Sequence, residues 1–357
     1  MEEILAKFKI EGTPVEVKPL GSGLINDTYL VRTDGDAPDY VLQRINNAIF
    51  TDVELLQHNI EAVTRHLRSK LAGCDDVDRR VLRFIATDDG KTYCRDAAGN
   101  YWRLSVFIPR ATTHQTVDAG HSYHAGRAFG NFEAELVDIP DTLGETIPDF
   151  HNMELRISQL RDAVKRDAAG RLAEVQPIVD AIEARAEEMC LAEQLHREGR
   201  LPKRICHCDT KVNNMMFGDD GQVLCVIDLD TVMPSFVFSD YGDFLRTAAN
   251  AVAEDSPELD KVEFRRDIFE AFTRGYLESA SRFLTPTETE LLPYAVTLFP
   301  YMQCVRFLTD YINGDTYYKI AYPTHNLVRT RNQWRLYECT MELRPYMSRF
   351  IAGCMGQ

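Results

Sequence analysis

The stretch that most constrains how this chain can fold is a polar loop joined to a short hairpin. The loop is His207-Cys208-Asp209-Thr210-Lys211-Val212-Asn213-Asn214. Two apolar runs follow, Met215-Met216-Phe217 and Gln222-Val223-Leu224-Cys225-Val226-Ile227, separated by the turn Gly218-Asp219-Asp220-Gly221. Runs flanking such a turn pair antiparallel. Asn214 stands just before the first strand and Asp228 just after the second, so the pairing predicts that the two lie side by side. An oxygen from each, completed by other oxygens, would suit a hard cation such as Mg²⁺. Asp209 adds a carboxylate able to accept a proton. Cys208 reads as loop packing rather than as a nucleophile, because nothing around it marks an activated thiol.

The first third of the chain reads as a small antiparallel sheet. Val15–Lys18, Thr28–Val31 and Tyr40–Ile45 alternate or cluster as strands do. Gly21-Ser22-Gly23 lies between the first two. Glycines at such a tip let backbone N–H groups approach phosphates, although a plain hairpin turn explains them equally. Val53, Leu56, Ile60, Val63 and Leu67 then share one helical face. Thr51 with Glu54 reads as a capping box, which leaves Glu61 as the candidate for an inward ion pair or for a solvated face. Val81–Ile85, Thr92–Cys94 and Tyr101–Ile108 are expected strands, and strand signals stop after Thr113.

The rest reads as mainly helical. Segments are expected over His124–Leu136, within Met153–Leu201, from Tyr241, and over Phe264–Phe283. Thr285-Pro286-Thr287-Glu288 is a second capping box, opening a long helix that ends at Asn313-Gly314. Gln303, Arg306 and Asp310 form a polar stripe on it. That stripe is either an Arg306–Asp310 pair on a wet face or the wall of a polar ligand's pocket.

Composition narrows the classes. At 357 residues two units are expected, on a prior of about 150 residues per domain. The formal net charge of −15 argues against nucleic acid held through its phosphates. No stretch approaches the roughly 18 apolar residues of a membrane span, and no signal peptide is expected at Met1–Lys7. The nine cysteines match neither a zinc spacing nor a disulfide framework, so reduced thiols and a cytoplasmic setting are expected. A monomer is favoured.

His207-x-Asp209-x-x-x-x-Asn214 with Ile227-Asp228 resembles the Brenner-type motif of the aminoglycoside phosphotransferase and choline kinase superfamily. The glycine hairpin, the Glu61 helix and the helical body suit the fold of that superfamily. The resemblance implies an α+β, bilobal protein-kinase-like fold. It would comprise an antiparallel-sheet lobe with one helix at 1–107, a hinge at 108–116 and a larger, mainly helical lobe at 117–357. Further stretches narrow the likeness: Ile227–Pro234, Arg306-Phe307-Leu308-Thr309-Asp310-Tyr311 and His325-Asn326-Leu327-Val328-Arg329-Thr330-Arg331 look like those of the N-acetylhexosamine 1-kinases. Those bacterial enzymes phosphorylate N-acetylglucosamine and N-acetylgalactosamine at the anomeric hydroxyl, in salvage of mucin and milk sugars.

The resemblance implies ATP and Mg²⁺ as cofactors and a small sugar as partner. Asp209 would be the base. Asn214 and Asp228 would hold the metal, with Asp230 assisting it or ordering the loop. His207 and Asp240 would brace the loop. Gly21, Ser22 and Gly23 would cover the phosphates, with Gln43 nearby, and backbone at Phe107 and Ile108 would meet the purine. Arg306 and Tyr317 would contact the sugar. One position departs from the kinase pattern: the third-strand lysine falls at Gln43, which shares a strand face with Val41 while Arg44 points away. The amide can still donate a neutral hydrogen bond, and the sugar-kinase relatives also lack the lysine, but Glu61 is left without an obvious cation. Alternatives are a kinase of the same superfamily acting on an aminoglycoside, choline or homoserine, or a nucleotide-binding regulator without turnover. A protein kinase is disfavoured, since no Asp-Phe-Gly or Ala-Pro-Glu segment follows the base.

Overall fold

The computed structural model describes residues 1–21 and 25–356. Ser22 and Gly23 of the glycine turn lie outside the described residues. The chain forms two compact units, each assembled from separated stretches. The first is Met1–Thr113, Glu135–Pro148 and Met215–Met233; the second is His114–Ala134, Asp149–Asn214 and Pro234–Gln357.

The first unit is built on an antiparallel sheet. Among the described residues it has five strands: β1 (Pro14–Pro19), β2 (Asp27–Thr33), β3 (Tyr40–Ile45), β4 (Tyr93–Arg95) and β5 (Tyr101–Val106), in the order β1-β2-β3-β5-β4. Val31, Tyr40, Leu42, Trp102 and Leu104 bury one face together with Ile4, Leu5 and Phe8. The register sets Gln43 opposite Thr28 on β2 and opposite Arg103 on β5. Among the described residues Val81–Ile85, expected as a strand, contributes only an isolated bridge, from Phe84 to Ser105. The cause is β4, which occupies the same edge of β5 from Tyr101 to Arg103 and leaves only the far end for pairing.

The long helix of this unit spans Val53–Lys70. Its N-cap is Asp52, whose carboxylate accepts from the Leu55 N–H at 2.9 Å, rather than the expected Thr51. Glu54 is therefore not a capping partner, and its carboxylate accepts from the Tyr93 hydroxyl at 3.1 Å.

The expected hairpin is present, Met215–Phe217 against Val223–Val226, with Met215 opposite Val226. It belongs with the sheet unit rather than with the helical body in which the sequence sets it. Phe217 and Thr112 exchange two backbone hydrogen bonds of 2.8 and 3.0 Å. Asn59 of the long helix likewise donates to the carbonyls of Gly144 (2.8 Å) and Val232 (2.9 Å), which ties both inserted stretches to this unit.

The second unit is helical, with long elements at Ala119–Leu136, Met153–Arg166, Leu172–Glu183, Phe238–Ala248, Arg266–Ala280, Leu292–Ile312 and His325–Cys354. Phe129, Tyr241, Phe244, Phe272 and Tyr276 are fully buried in it. The Thr285 capping box forms, but it serves a short helix, Pro286–Glu290, ahead of the long Leu292–Ile312 one. Among the described residues no helix is long and apolar enough to cross a membrane.

Candidate active site

The His207–Asn214 loop is held from beneath by one carboxylate. Asp240, in the Phe238–Ala248 helix, is fully buried and accepts the backbone N–H of His207 (2.8 Å) and of Cys208 (2.7 Å). Its own carbonyl accepts from the Thr210 hydroxyl at 2.8 Å. Burial raises the Asp240 carboxyl above its usual range, opposed by His207 and by the two N–H bonds. His207, also fully buried, lies edge-on to Phe129 and Phe132, and its Nδ1 accepts from the Asp209 N–H at 3.3 Å. Cys208 takes a left-handed backbone, φ +63°, unusual for a side chain other than glycine. Strain of this kind persists only where surrounding bonds over-determine it, and Asp240 supplies two of them. The Cys208 thiol is buried and pushed well above its usual range by that burial, which suits packing rather than reaction.

This scaffold presents Asp209 with its carboxylate oriented from both sides. Lys211 Nζ lies 2.8 Å from Oδ1, and Asn214 Nδ2 donates to Oδ2 at 3.1 Å and to the Asp209 carbonyl at 2.8 Å. Asn214's amide oxygen is consequently the end of that side chain turned away from Asp209. Lys211 had no role in the sequence reading, although its place two residues after Asp209 was a usable signal. Asp228 sits past the other arm of the hairpin with a left-handed backbone, φ +60°.

Asp230 belongs to a different arrangement. It is buried in the sheet unit, with Arg103 Nη1 2.6 Å from Oδ1 and Asn26 Nδ2 donating to Oδ2 at 2.7 Å. Oδ2 is taken by the Asn26 hydrogen bond, while Oδ1 meets the Arg103 charge without an aligned hydrogen bond, and this ion pair suits ordering of the segment. Gln43 Oε1 accepts from Arg103 Nε at 3.0 Å, and Gln43 Nε2 donates to the Thr28 hydroxyl at 3.3 Å. Arg44 points to the other face and pairs with Asp27. Glu61 accepts from the Thr92 hydroxyl at 2.5 Å and makes no ion pair among the described residues, so the expected inward pair does not form there. Gly21 has φ +71° with open space where a Cβ would stand. The Phe107 N–H already donates to the Asp39 carbonyl at 2.8 Å, and the Ile108 side chain is buried, so of the Phe107 backbone it is not this N–H that can meet a purine.

In the helical unit, Arg306 does not pair with Asp310. Its guanidinium lies over the rings of Phe150 (5.3 Å) and Tyr318 (5.7 Å) and donates to Gln303 at 3.1 Å. Asp310 instead nucleates the turn after its helix: Oδ1 accepts the N–H groups of Thr316 and Tyr317 at 2.8 Å each, and Oδ2 that of Tyr318 at 2.9 Å. Asn326 Nδ2 adds a bond to Oδ2 at 2.9 Å. Tyr317 is 64 % exposed and edge-on to Tyr318. His151, unremarked in the sequence reading, is stacked on Phe150 and bonded to Ser239. Burial, then the charges of Arg306 and Arg156, press it well below its usual range, with Asp209 opposing. Arg156 is itself lowered to about 10, by burial first and then by Arg306. A neutral imidazole and two arginines therefore surround Phe150 in the unit that carries Asp209.

A five-stranded antiparallel sheet with one long helix, a helical body, and a braced His-x-Asp-x-x-x-x-Asn loop followed by a hairpin and an aspartate define the class of protein-kinase-like phosphotransferases. Residues 16–279 match the model of the APH phosphotransferase enzyme family, and the chain belongs to that family. Solved structures agree on the fold. An aminoglycoside phosphotransferase from Alicyclobacillus acidocaldarius is 15% identical with a TM-score of 0.59, covering 100% of this chain and 96% of that one. Spectinomycin phosphotransferase, solved with ADP and spectinomycin, is 12% identical with a TM-score of 0.56 over 98% and 97% of the two chains. Choline kinase from Cryptosporidium parvum is 13% identical with a TM-score of 0.55 over 95% and 92%.

Proposed function

We propose that the chain is a cytoplasmic ATP-dependent N-acetylhexosamine 1-kinase. The observation that carries a phosphotransferase mechanism is the Asp209 carboxylate, oriented by Lys211 and Asn214 on a loop braced by Asp240. In this reading the anomeric hydroxyl of the sugar loses its proton to Asp209 while its oxygen bonds to the γ-phosphorus. The bond from that phosphorus to the β–γ bridging oxygen breaks, and ADP leaves. Such transfer rests on positioning and charge neutralisation more than on covalent help from the protein.

The donor set fits a hard divalent cation. Asn214 commits its amide nitrogen to Asp209, leaving an oxygen, and Asp228 supplies a carboxylate at the open end of a hairpin whose first pair is Met215 with Val226. Mg²⁺ there would offset the charge of the phosphate oxygens. Asp230, already paired with Arg103, is assigned to ordering the segment.

The choice of a neutral acceptor rests on the cations around Phe150. Arg306 and Arg156 would repel choline or an aminoglycoside, whereas sugar hydroxyls and an acetamido carbonyl can accept from guanidinium N–H groups. The Arg306, Asp310 and His325 stretches that resemble the N-acetylhexosamine kinases support the same acceptor. ADP release should be measured with N-acetylglucosamine, N-acetylgalactosamine, choline, homoserine and an aminoglycoside. Turnover with the two amino sugars is expected. Turnover with another acceptor alone would overturn the assignment, and ATP binding without turnover of any acceptor would make the chain a regulator.

A further inference from the structure

We propose that Arg103 is the positioning cation of the nucleotide-binding sheet, standing one strand away from the position where kinases carry a lysine and acting through Gln43 and Asp230. The inference rests on the ATP-dependent reading above.

Kinase-like sheets place a lysine on the third strand, and here that position is Gln43. β3 and β5 pair with Gln43 directly opposite Arg103, and opposite residues of an antiparallel pair project from the same face. A cation is thus present on the expected face, shifted sideways by one strand. The Arg103 side chain is 3 % exposed and that of Asp230 4 %. A guanidinium does not stay out of water unless its donors are met. Its Nε donates to Gln43 Oε1 at 3.0 Å, its Nη1 lies 2.6 Å from Asp230 Oδ1 and donates to Gln57 Oε1 at 3.5 Å, and its Cζ lies 5.7 Å from the centre of the Phe84 ring.

Two consequences follow from this geometry. Arg103 fixes which way the Gln43 amide points. With its oxygen facing the guanidinium, its NH₂ end faces β2 and Thr28 Oγ1 at 3.3 Å, on the strand that leaves the glycine turn. Gln43 therefore offers donors on that side, the polarity an anionic phosphate requires. Asp230 completes a second line: its Oδ2 accepts from Asn26 Nδ2 at 2.7 Å, and Asn26 Oδ1 accepts from the Asn46 N–H at 2.9 Å. Asn26 precedes β2, so the pair anchors the exit of the glycine turn and the end of β3 together. Glu61 takes no part, because its carboxylate is engaged by Thr92. The ion pair that kinases make between a strand lysine and a helix glutamate is here made between Arg103 and Asp230.

The test is a calorimetric titration of the full chain with Mg·ATP and no acceptor, alongside melting curves. Arg103→Met should weaken ATP binding roughly tenfold or more, the scale of a lost hydrogen bond from a charged donor. Adding Gln43→Lys to Arg103→Met returns a cation to the same face and should recover binding to within about threefold of the unaltered protein, a recovery that a purely structural role for Arg103 would not produce. If Arg103→Met does not fold, Arg103→Met with Asp230→Asn, which leaves no lone buried charge, replaces it as the background for Gln43→Lys. A folded background variant that binds ATP as the unaltered protein does, or a lysine at position 43 that recovers nothing, overturns the inference alone. Absence of ATP binding by the unaltered protein overturns it together with the kinase reading.

Discussion

Asp209 illustrates how much a few neighbours decide at the scale of one residue. Its carboxylate is neither loose nor buried: an ammonium holds one oxygen and an amide the other. Replacing it with asparagine keeps the shape and removes the carboxylate proposed as the proton acceptor. Asp209→Asn should lower ADP release by about 10³-fold, within the usual contribution of a general base, while a Mg·ATP titration stays unchanged. Full turnover by that variant would remove Asp209 from the base's role. The residues of this loop were legible in the sequence because they are close along the chain, and their spacing alone states which can meet. Arg103 was not legible. It lies 60 residues from Gln43, and only strand pairing makes them neighbours. The expected Arg306–Asp310 pair failed for a related reason: helical spacing permitted it, but three N–H groups of the following turn outcompeted a single guanidinium for Asp310.

Helix ends and crossings carry the next scale. Glu193, on the short Leu191–Arg197 helix, caps a different helix by accepting the Met153 N–H at 2.9 Å. Its other oxygen is buried without a hydrogen-bond partner among the described residues, and burial lifts the carboxyl from 4.5 to about 7. A carboxyl raised on folding supports stability while protonated. That support is complete below about pH 4.5 and is lost as pH rises through about 7. At about 1.4 kcal/mol per tenfold change in proton affinity, the charged form is disfavoured by on the order of 3 kcal/mol. Glu193→Gln keeps the acceptor and never ionises. Its melting temperature should match the unaltered protein near pH 4.5 and exceed it increasingly toward pH 8, as scanning fluorimetry across that range would read.

The crossing of Ala119–Leu136 with Arg266–Ala280 depends on glycine for a different reason. A Cβ on Gly126 would stand 2.1 Å from the Phe272 carbonyl oxygen, and one on Gly275 would stand 2.0 Å from that of Tyr123. These obstacles are backbone atoms, so neither helix can yield locally. Gly126→Ala should destabilise the protein by about 2 kcal/mol or more, despite alanine's better helix propensity, measurable by denaturant unfolding. The element assignments themselves were largely readable from periodicity. The failures occurred at Val81–Ile85, where β4 took the pairing edge, at Thr51, where the neighbouring Asp52 capped instead, and at Thr285, whose capping box serves a short helix ahead of the long one.

Across the whole molecule, neither compact unit is a continuous segment of chain. The sheet unit takes Met215–Met233 from far downstream, and with it Asp230, the partner of Arg103. A fragment ending at Thr113 would therefore keep a buried guanidinium and lose its carboxylate, and would lose the strand that bonds Thr112. Expressed alone, residues 1–113 should show no cooperative thermal transition by circular dichroism, since an unpaired buried charge is strongly destabilising. A sharp melt would show that the sheet is self-sufficient.

Local chemistry settled what the sequence by itself determined: the polar loop, the hairpin that follows it, most helices and strands, and the kinase-like class. Each depends on contacts a few residues long, where periodicity, turns and spacing act directly. Only tertiary structure decided which polar groups are consumed and which remain for chemistry. It paired Asp230 with Arg103, turned Asp310 to its own following loop, tied Glu61 to Thr92 and gave the Phe107 N–H to Asp39. A buried polar group takes whichever partner the fold brings within reach, and that partner can come from anywhere in the chain.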